Sequence, residues 1–262
     1  MNFYVLLSLY FALNTSILCK RQKIIGGTVA DIKDFPFLSS LRNLTTNKHF
    51  CGGSIITKRH ILTAAHCLFE KDYSIIRIYV GSNYSVSIYS EGYDIESVRI
   101  HPHFTGYNSP GKGSRHDIAI ITLNKEIEFN VHQKNGIIQA DDVKVEVNAE
   151  ILGWGLIIFP SKVYSMVLRK ASVKIIKNTK CLEKIHLPIY DEHICSDGNT
   201  KFGVCLADSG GPLIIEDKIV GIASFCIPCA RGFPDVFTRV YNYLNFIRTA
   251  VNANYQLNIS VA

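Results

Sequence analysis

Apolar residues along this chain come in short runs set between Gly, Asn, Asp and Ser. Runs rich in β-branched and aromatic side chains occupy residues 54–56, 75–80, 95–100, 118–123, 143–152, 171–176, 213–215 and 219–224. Their length and spacing predict an all-β sandwich or a pair of barrels. Helical periodicity is nearly absent until the end of the chain. There Val240, Leu244, Ile247 and Val251 recur at spacings of four, three and four, which gives a C-terminal helix one apolar face. No internal repeat or low-complexity segment is visible. A division is expected near residues 130–140, and an exposed tail after Asn252.

The N-terminus follows another pattern. Residues 3–13 are an unbroken apolar run, too short for a spanning helix of about 20 residues. Residues 1–19 read as a secretory signal, cleaved after Ser16 or after Cys19, although no Lys or Arg precedes the run. An uncleaved anchor is the alternative. Lys20, Arg21 and Lys23 then lead into Ile24-Ile25-Gly26-Gly27. Residues 20–23 are either a solvated basic linker or a propeptide cut after Lys23, which would free the apolar Ile24 for burial. Sequons at Asn43, Asn83 and Asn258 fit a secretory route.

Composition narrows the classes further. With 262 residues and 47% hydrophobic content the chain can bury a core, so a disordered chain is excluded. The formal charge of +6 includes three basic residues before Ile24 and no acidic ones, leaving +3 after a cut at Lys23. No nucleic-acid stripe or polybasic membrane patch is needed to explain that balance. Nothing after the leader reaches membrane length. Eight cysteines are many for a reducing compartment.

Three segments carry candidate chemistry: Leu62-Thr63-Ala64-Ala65-His66-Cys67, His116-Asp117-Ile118-Ala119-Ile120 and Ala207-Asp208-Ser209-Gly210-Gly211-Pro212. With the Ile-Ile-Gly-Gly start, Cys51-Gly52-Gly53-Ser54, Gly153-Trp154-Gly155 and the terminal helix, the chain from Ile24 to about Val251 resembles the trypsin/chymotrypsin serine proteases. The resemblance implies two packed six-stranded antiparallel β-barrels with an active site between them. The protease domain would span 24–262, with the first barrel in 24–135, the second barrel and helix in 136–251, and a tail in 252–262. It also implies protein or peptide substrates, protein inhibitors as partners, an activating protease that cuts after Lys23, a monomer, and no cofactor. Nucleic acid, and a membrane once the signal is removed, are not expected partners.

The residue types suit acyl transfer. A serine hydroxyl is a poor nucleophile at neutral pH, so Ser209 needs a nearby base, and the imidazole of His66 can take the proton and return it. A carboxylate, Asp117, would hold the other ring nitrogen and fix the tautomer. By resemblance, the amides of Ala207 and Ser209 form the oxyanion hole, and the new ammonium of Ile24 pairs with buried Asp208 once the propeptide is removed. An unpaired buried charge costs roughly 3–5 kcal/mol, so the uncut chain is expected to be a zymogen.

By the same resemblance Cys51 pairs with Cys67, Cys181 with Cys195, and Cys205 with Cys229. Cys19 leaves with the leader, and Cys226 is left odd; a Cys205–Cys226 pairing is the alternative. No metal site is expected. A zinc site would lack a fourth ligand beyond Cys205, Cys226 and Cys229, His101-Pro102-His103 reads as a surface loop, and the segment after Gly81 lacks the acid that opens the family's calcium loop.

The specificity pocket departs from the family pattern. Gly203 stands where trypsins have Asp, while Asp235 stands where they have a pocket-wall glycine, an arrangement similar to broad-specificity crustacean and insect collagenolytic proteases. That would place the chain in an arthropod or mite-type branch, with a pocket accepting Lys or Arg and some apolar residues. Ser224 is retained beside Asp117. Ala207 replaces an oxyanion-hole glycine, and Cys226 a glycine at the pocket mouth. If Ala207 takes a positive φ, its Cβ costs roughly 1 kcal/mol; if its peptide flips, a lost donor costs about 10²–10³ in turnover. These departures leave a second reading open, a weak or inactive homologue that binds substrates, inhibitors or host proteins.

Overall fold

The computed structural model describes residues 27–87, 90–106, 115–198, 200, 203–227, 229–251 and 253–260. Ile24 and the leader lie outside them. Twelve strands carry the fold. Six come first: β1 (Leu38–Asn43), β2 (His49–Ile55), β3 (His60–Thr63), β4 (Ile76–Val80), β5 (Gly92–Ile100) and β6 (Ala119–Leu123). Six follow: β7 (Asn148–Gly153), β8 (Arg169–Ile176), β9 (His193–Ser196), β10 (Pro212–Ile215), β11 (Lys218–Cys226) and β12 (Asp235–Arg239).

The first six close in the order β1-β2-β3-β6-β5-β4. The second six run β10-β7-β8-β9-β12-β11, and pairing of β10 with β11, Leu213 opposite Gly221, closes the ring. Adding six to each first-barrel number reproduces the second order, so the barrels share one topology although the sequence shows no repeat. Both are antiparallel, as the expected two-barrel fold requires.

Local patterns explain which strands were predictable. In β4, Ile76, Ile78 and Val80 are buried while Arg77 and Tyr79 are only half-buried, the alternation of a pleated strand with one dry face. Segment 143–152 forms a strand only over Asn148–Gly153, because Glu146 turns the chain at φ +65°. Strands β1, β3, β9 and β12 carry no such signature, because each turns polar side chains inward. Ser39, Ser40 and Arg42, then His60 and Thr63, then His193 and Ser196, then Asp235 and Thr238, are all buried.

The C-terminal periodicity is realised as a 3-10 turn, Val240–Tyr243, running into a helix, Leu244–Ala250. Val240, Leu244, Ile247 and Val251 are all buried, and they join the apolar cluster of the first barrel with Leu41, Ile55, Ile61 and Ile120. A second helix, α1 (Asn178–Ile185), precedes it and was not predicted; the C-terminal helix is therefore α2. Only Cys181 and Ile185 of α1 face inward, too few to show periodicity, and the Cys181–Cys195 disulfide ties it to β9.

The residues expected as an exposed tail are docked. Ile259–Ser260 pairs in parallel with Ile137–Gln139 in the linker, and that linker strand also pairs in parallel with β11. Tyr255, Leu257 and Ile259 are partly buried against the core, and the Tyr255 hydroxyl donates to Glu126 (2.9 Å). At half burial, three such side chains contribute about 2–4 kcal/mol. Truncation after Val251 is therefore expected to lower the unfolding free energy in urea by that amount, and an unchanged midpoint would show that the docked segment adds nothing.

Candidate active site

The two barrels meet where the backbones come within reach of each other. The Gly52 amide on β2 donates to the Ser209 carbonyl (2.8 Å), and a Cβ at Gly52 would lie 2.9 Å from the Gly211 Cα. Gly210, at φ +78°, would place a Cβ 2.3 Å from the Thr63 hydroxyl. Neither position admits a side chain. This contact brings Ser209, just before β10, to the first barrel.

His66 and Asp117 come from that barrel. His66 lies in a 3-10 turn, Ala65–Cys67, directly after β3, and the Cys51–Cys67 disulfide fastens the turn to β2. Asp117 precedes β6 and is fully buried. The His66 Nδ1–H donates to Asp117 Oδ2 (2.8 Å), the His66 backbone N–H to Oδ1 (2.9 Å), and the Ser224 hydroxyl, from β11, to Oδ2 (2.6 Å). Burial alone would raise the Asp117 pKa, but His66 and these donors hold the carboxyl below the usual carboxylate range. A cleft of about 320 Å³ is lined by His66, Ser209 and Ser224, with Leu206 half exposed in its wall.

Ala207 has φ +74°, so its Cβ occupies the left-handed region at a cost of roughly 1 kcal/mol. His49 was not singled out by sequence, because one His before Phe50-Cys51 has no informative spacing. Its Nε2–H donates to the Ala207 carbonyl (2.9 Å), and its Nδ1 accepts from Ser40 Oγ (2.8 Å). Burial pushes its pKa down to about 4, so the neutral ring persists at physiological pH and holds the carbonyl of the Ala207–Asp208 peptide.

Asp208 is buried beneath Ser209. It accepts from the Gly155 amide (2.8 Å) and the Cys205 amide (3.0 Å), and burial outweighs both bonds, pushing its pKa up to about 7. Its expected partner, Ile24, lies outside the described residues. Asp235, at the start of β12, is opposite Cys226 in the β11–β12 register and accepts from the Val204 amide (3.0 Å). A Cβ at Gly203 would lie 2.9 Å from its Oδ2. Burial first, then Asp208, push Asp235 up to about 8, and burial with both acids pushes the Cys226 thiol up to about 12.

The cysteines pair as the resemblance implied, with Cys205 bonded to Cys229 and Cys226 free. The sulfurs beside His66 are in the Cys51–Cys67 bridge, so neither offers a thiolate to a metal. His101, His103 and His116 gather their rings 4.7–5.5 Å apart on the far side of Asp117, where His116 Nδ1 meets the Tyr243 hydroxyl (3.0 Å). Of the sequon asparagines, Asn258 is exposed and Asn43 half-buried. The Asn83 side chain is engaged, accepting from the Ile32 amide (2.6 Å) and donating to Asp31 (3.3 Å).

Two barrels of one topology, with these side chains in the cleft between them, define a trypsin-like fold. The family model described as Trypsin matches residues 24–247, and the chain belongs to that family. Chymotrypsin-2 of Vespa crabro is 33% identical over 86% of this chain and 98% of its own length. Hypodermin-A of Hypoderma lineatum is also 33% identical, over 86% of each. Among solved structures, neuropsin, a serine protease expressed in the limbic system of mouse brain, superimposes with a TM-score of 0.78 at 26% identity, covering 86% of this chain and 99% of that one. Serine-type endopeptidase chemistry on protein substrates is the activity of this family, and three disulfides brace the fold.

The buried acids make stability depend on pH. In the folded, uncut chain Asp208 keeps its proton to about pH 7, whereas unfolded it releases it near 4, so the folded state binds more protons in that window. Stability is full below the unfolded pKa and lost as pH rises through the folded one. Urea unfolding of the uncut chain is expected to show a loss on the order of 4 kcal/mol from this group by pH 8. Asp208→Asn should flatten the slope; an unchanged slope would place the titration elsewhere.

Proposed function

We propose that this chain is a secreted serine endopeptidase made as a zymogen. The observation that carries the reading is the bonded series Ser224–Asp117–His66, which opens into the cleft that Ser209 lines. Asp117 holds the His66 Nδ1–H, leaving Nε2 to accept a proton. Ser209 Oγ attacks the scissile carbonyl carbon as His66 takes the hydroxyl proton. The carbonyl oxygen gains the charge and receives the amides of Ala207 and Ser209. His66 then protonates the leaving amine, and water releases the acyl group by the same steps in reverse order.

Release of Ile24 by a protease cutting after Lys23 supplies the cation that Asp208 lacks among the described residues. Pairing lowers the Asp208 pKa and removes the penalty of its burial, which couples cleavage to order beneath Ser209. The leader, three bridges and sequons support secretion; no helix among the described residues is long and apolar enough to cross a membrane.

Two observations favour an active enzyme over a binding homologue. Ala207 takes the positive φ that keeps its amide available to the cleft, and His49 holds the carbonyl of the peptide that follows. Cys226 narrows the pocket mouth, but its protonated thiol is no competing nucleophile. The test is covalent labelling: after release of Ile24, a fluorophosphonate probe should label the protein and leave a Ser209→Ala control untouched. Absence of Ser209-dependent labelling would establish the binding homologue instead.

Specificity follows from Asp235. A carboxyl with a pKa near 8 is largely neutral in the resting pocket at pH 6, when apolar residues before the scissile bond are the better fit. Lys and Arg favour its ionised form, so their cleavage relative to apolar residues should rise between pH 6 and 9. Asp235→Gly should abolish that rise while sparing apolar peptides; equal loss on both would remove Asp235 from the pocket.

A further inference from the structure

Beside Asp117, outside the lining of the cleft, three imidazoles meet. His101 and His103 follow β5, and His116 precedes β6. The His101 and His116 rings stack, with 4.7 Å between centroids and 13° between planes, and His103 stands edge-on to both, at 5.5 and 5.4 Å. Tyr243 closes the cluster from the C-terminal turn, edge-on to His101 at 5.3 Å and to His116 at 5.9 Å, and Phe246 of α2 covers His101 at 5.0 Å. None of these rings takes part in the proton transfers between Ser209, His66 and substrate.

The cluster nevertheless sets the backbone that carries Asp117. His116 has φ +58°, in the left-handed region, where Asn, Asp and His are the side-chain-bearing residues most often found. The Ile118 amide donates to the His116 carbonyl (2.8 Å), so Asp117 is the middle residue of a three-residue turn. The Thr238 hydroxyl donates to the Asp117 carbonyl (2.9 Å), and the His101 amide to the Ile118 carbonyl (3.1 Å). The direction of the Asp117 carboxyl toward His66 thus depends on the turn at His116. The His116 ring holds that turn, stacked on His101 and with its Nδ1 3.0 Å from the Tyr243 hydroxyl.

The surroundings favour neutral rings. The His103 amide donates to His101 Nδ1 (3.3 Å), so that nitrogen acts as an acceptor and carries no proton. Burial first, then His116 and His103, push the His101 pKa down to about 4. His116 is lowered too, by burial first and then by Arg115, while Glu192 acts the other way. Glu192 reaches the cluster from the segment before β9, and it is already ion-paired with Arg115, whose guanidinium lies over the Tyr190 ring at 4.5 Å. Asp117, the other acid alongside, is bonded to His66. Residues 104–114, which join the two halves of the cluster, contain Lys112 as their only charge. An added imidazolium would therefore meet cations, or carboxylates already engaged. Nor do the ring nitrogens converge as a metal would need: among the described residues only Cys51, His66 and Cys67 bring ligand atoms that close together.

We propose, resting on the serine endopeptidase reading above, that His116 is a positioning residue for Asp117 and that its packing against His101 and His103 makes this positioning sensitive to acid. The neutral stack holds the left-handed turn and keeps the carboxyl on His66. Once protonated, the rings repel one another and Arg115, the turn relaxes, and Asp117 leaves His66. Return to neutral pH restores the stack.

The test uses the full chain with Ile24 released, and measures kcat and KM on an uncharged peptide substrate from pH 4 to pH 9. A single catalytic base gives log kcat an acid limb of slope about one. Here the limb should steepen to a slope of about two or more as pH approaches 4, reversibly. H116A, which removes the ring from a left-handed position, should lower kcat at pH 8 by about tenfold to a hundredfold with KM unchanged. H116N accepts the same φ but does not titrate, so it should restore kcat at pH 8 and keep an acid limb of slope about one. A limb that steepens equally in H116N, or an H116A variant that matches the parent at pH 8, would overturn the proposal. A parent profile altered by EDTA would assign the rings to a metal ion and overturn it as well. Hydrogen exchange of the Ile118 amide in the Ser209→Ala chain, compared with the same chain carrying H116N at each pH, reads the release without turnover. Protection should fall in the former, relative to the latter, toward pH 4; equal protection in both would sink the idea. Lost protection in a protein that the fluorophosphonate fails to label would remove the endopeptidase reading and leave the acid-sensitive turn standing.

Discussion

The geometry of the candidate active site depends on one backbone contact, the Gly52 amide against the Ser209 carbonyl. Each barrel is complete in its own hydrogen bonds, and neither contains a full set of reactive groups. His66 and Asp117 belong to the first, Ser209 and Ser224 to the second. Only an approach closer than any Cβ permits brings His66, Ser209 and Ser224 to one cleft with Asp117 buried behind them, which is why glycine stands at positions 52 and 210. The Cys51–Cys67 bridge then holds the His66 turn against the same strand that makes the contact.

Around that joint, buried polar groups outnumber what stability alone would ask for. Asp117 is fully compensated by donors and behaves as a fixed anion. Asp208 and Asp235 are not, and burial pushes their pKa values up to about 7 and about 8, so that their charge changes near physiological pH. The difference is one of partners rather than depth. In the function proposed above, a cation from the processed N-terminus or from a substrate side chain would supply what each lacks.

Much of this was legible in the sequence, and the failures have a common cause. Periodicity found the strands whose inward face is apolar, and it found the terminal helix from four residues on one side. It missed β1, β3, β9 and β12 because Ser40, Arg42, His60, His193 and Asp235 point inward there, where a pattern reader expects leucine. It missed α1 because a disulfide replaces most of an apolar face. The site residues lie in short segments whose order can be read directly. His49 could not be, since its bond to the Ala207 carbonyl joins positions far apart in sequence that only the fold makes neighbours.

The two ends of the chain cross over. The N-terminal strand, Thr28–Val29, pairs with β8 of the second barrel, while α2, last of the helices, packs into the core of the first. Each barrel is clasped by the end of the chain that the other barrel separates from it. A nascent chain emerging from the ribosome can thus close its first barrel only provisionally, since the helix that seals it is made last. Once formed, the clasp also means that a break in the linker would leave two fragments still held together, a nicked molecule rather than two halves.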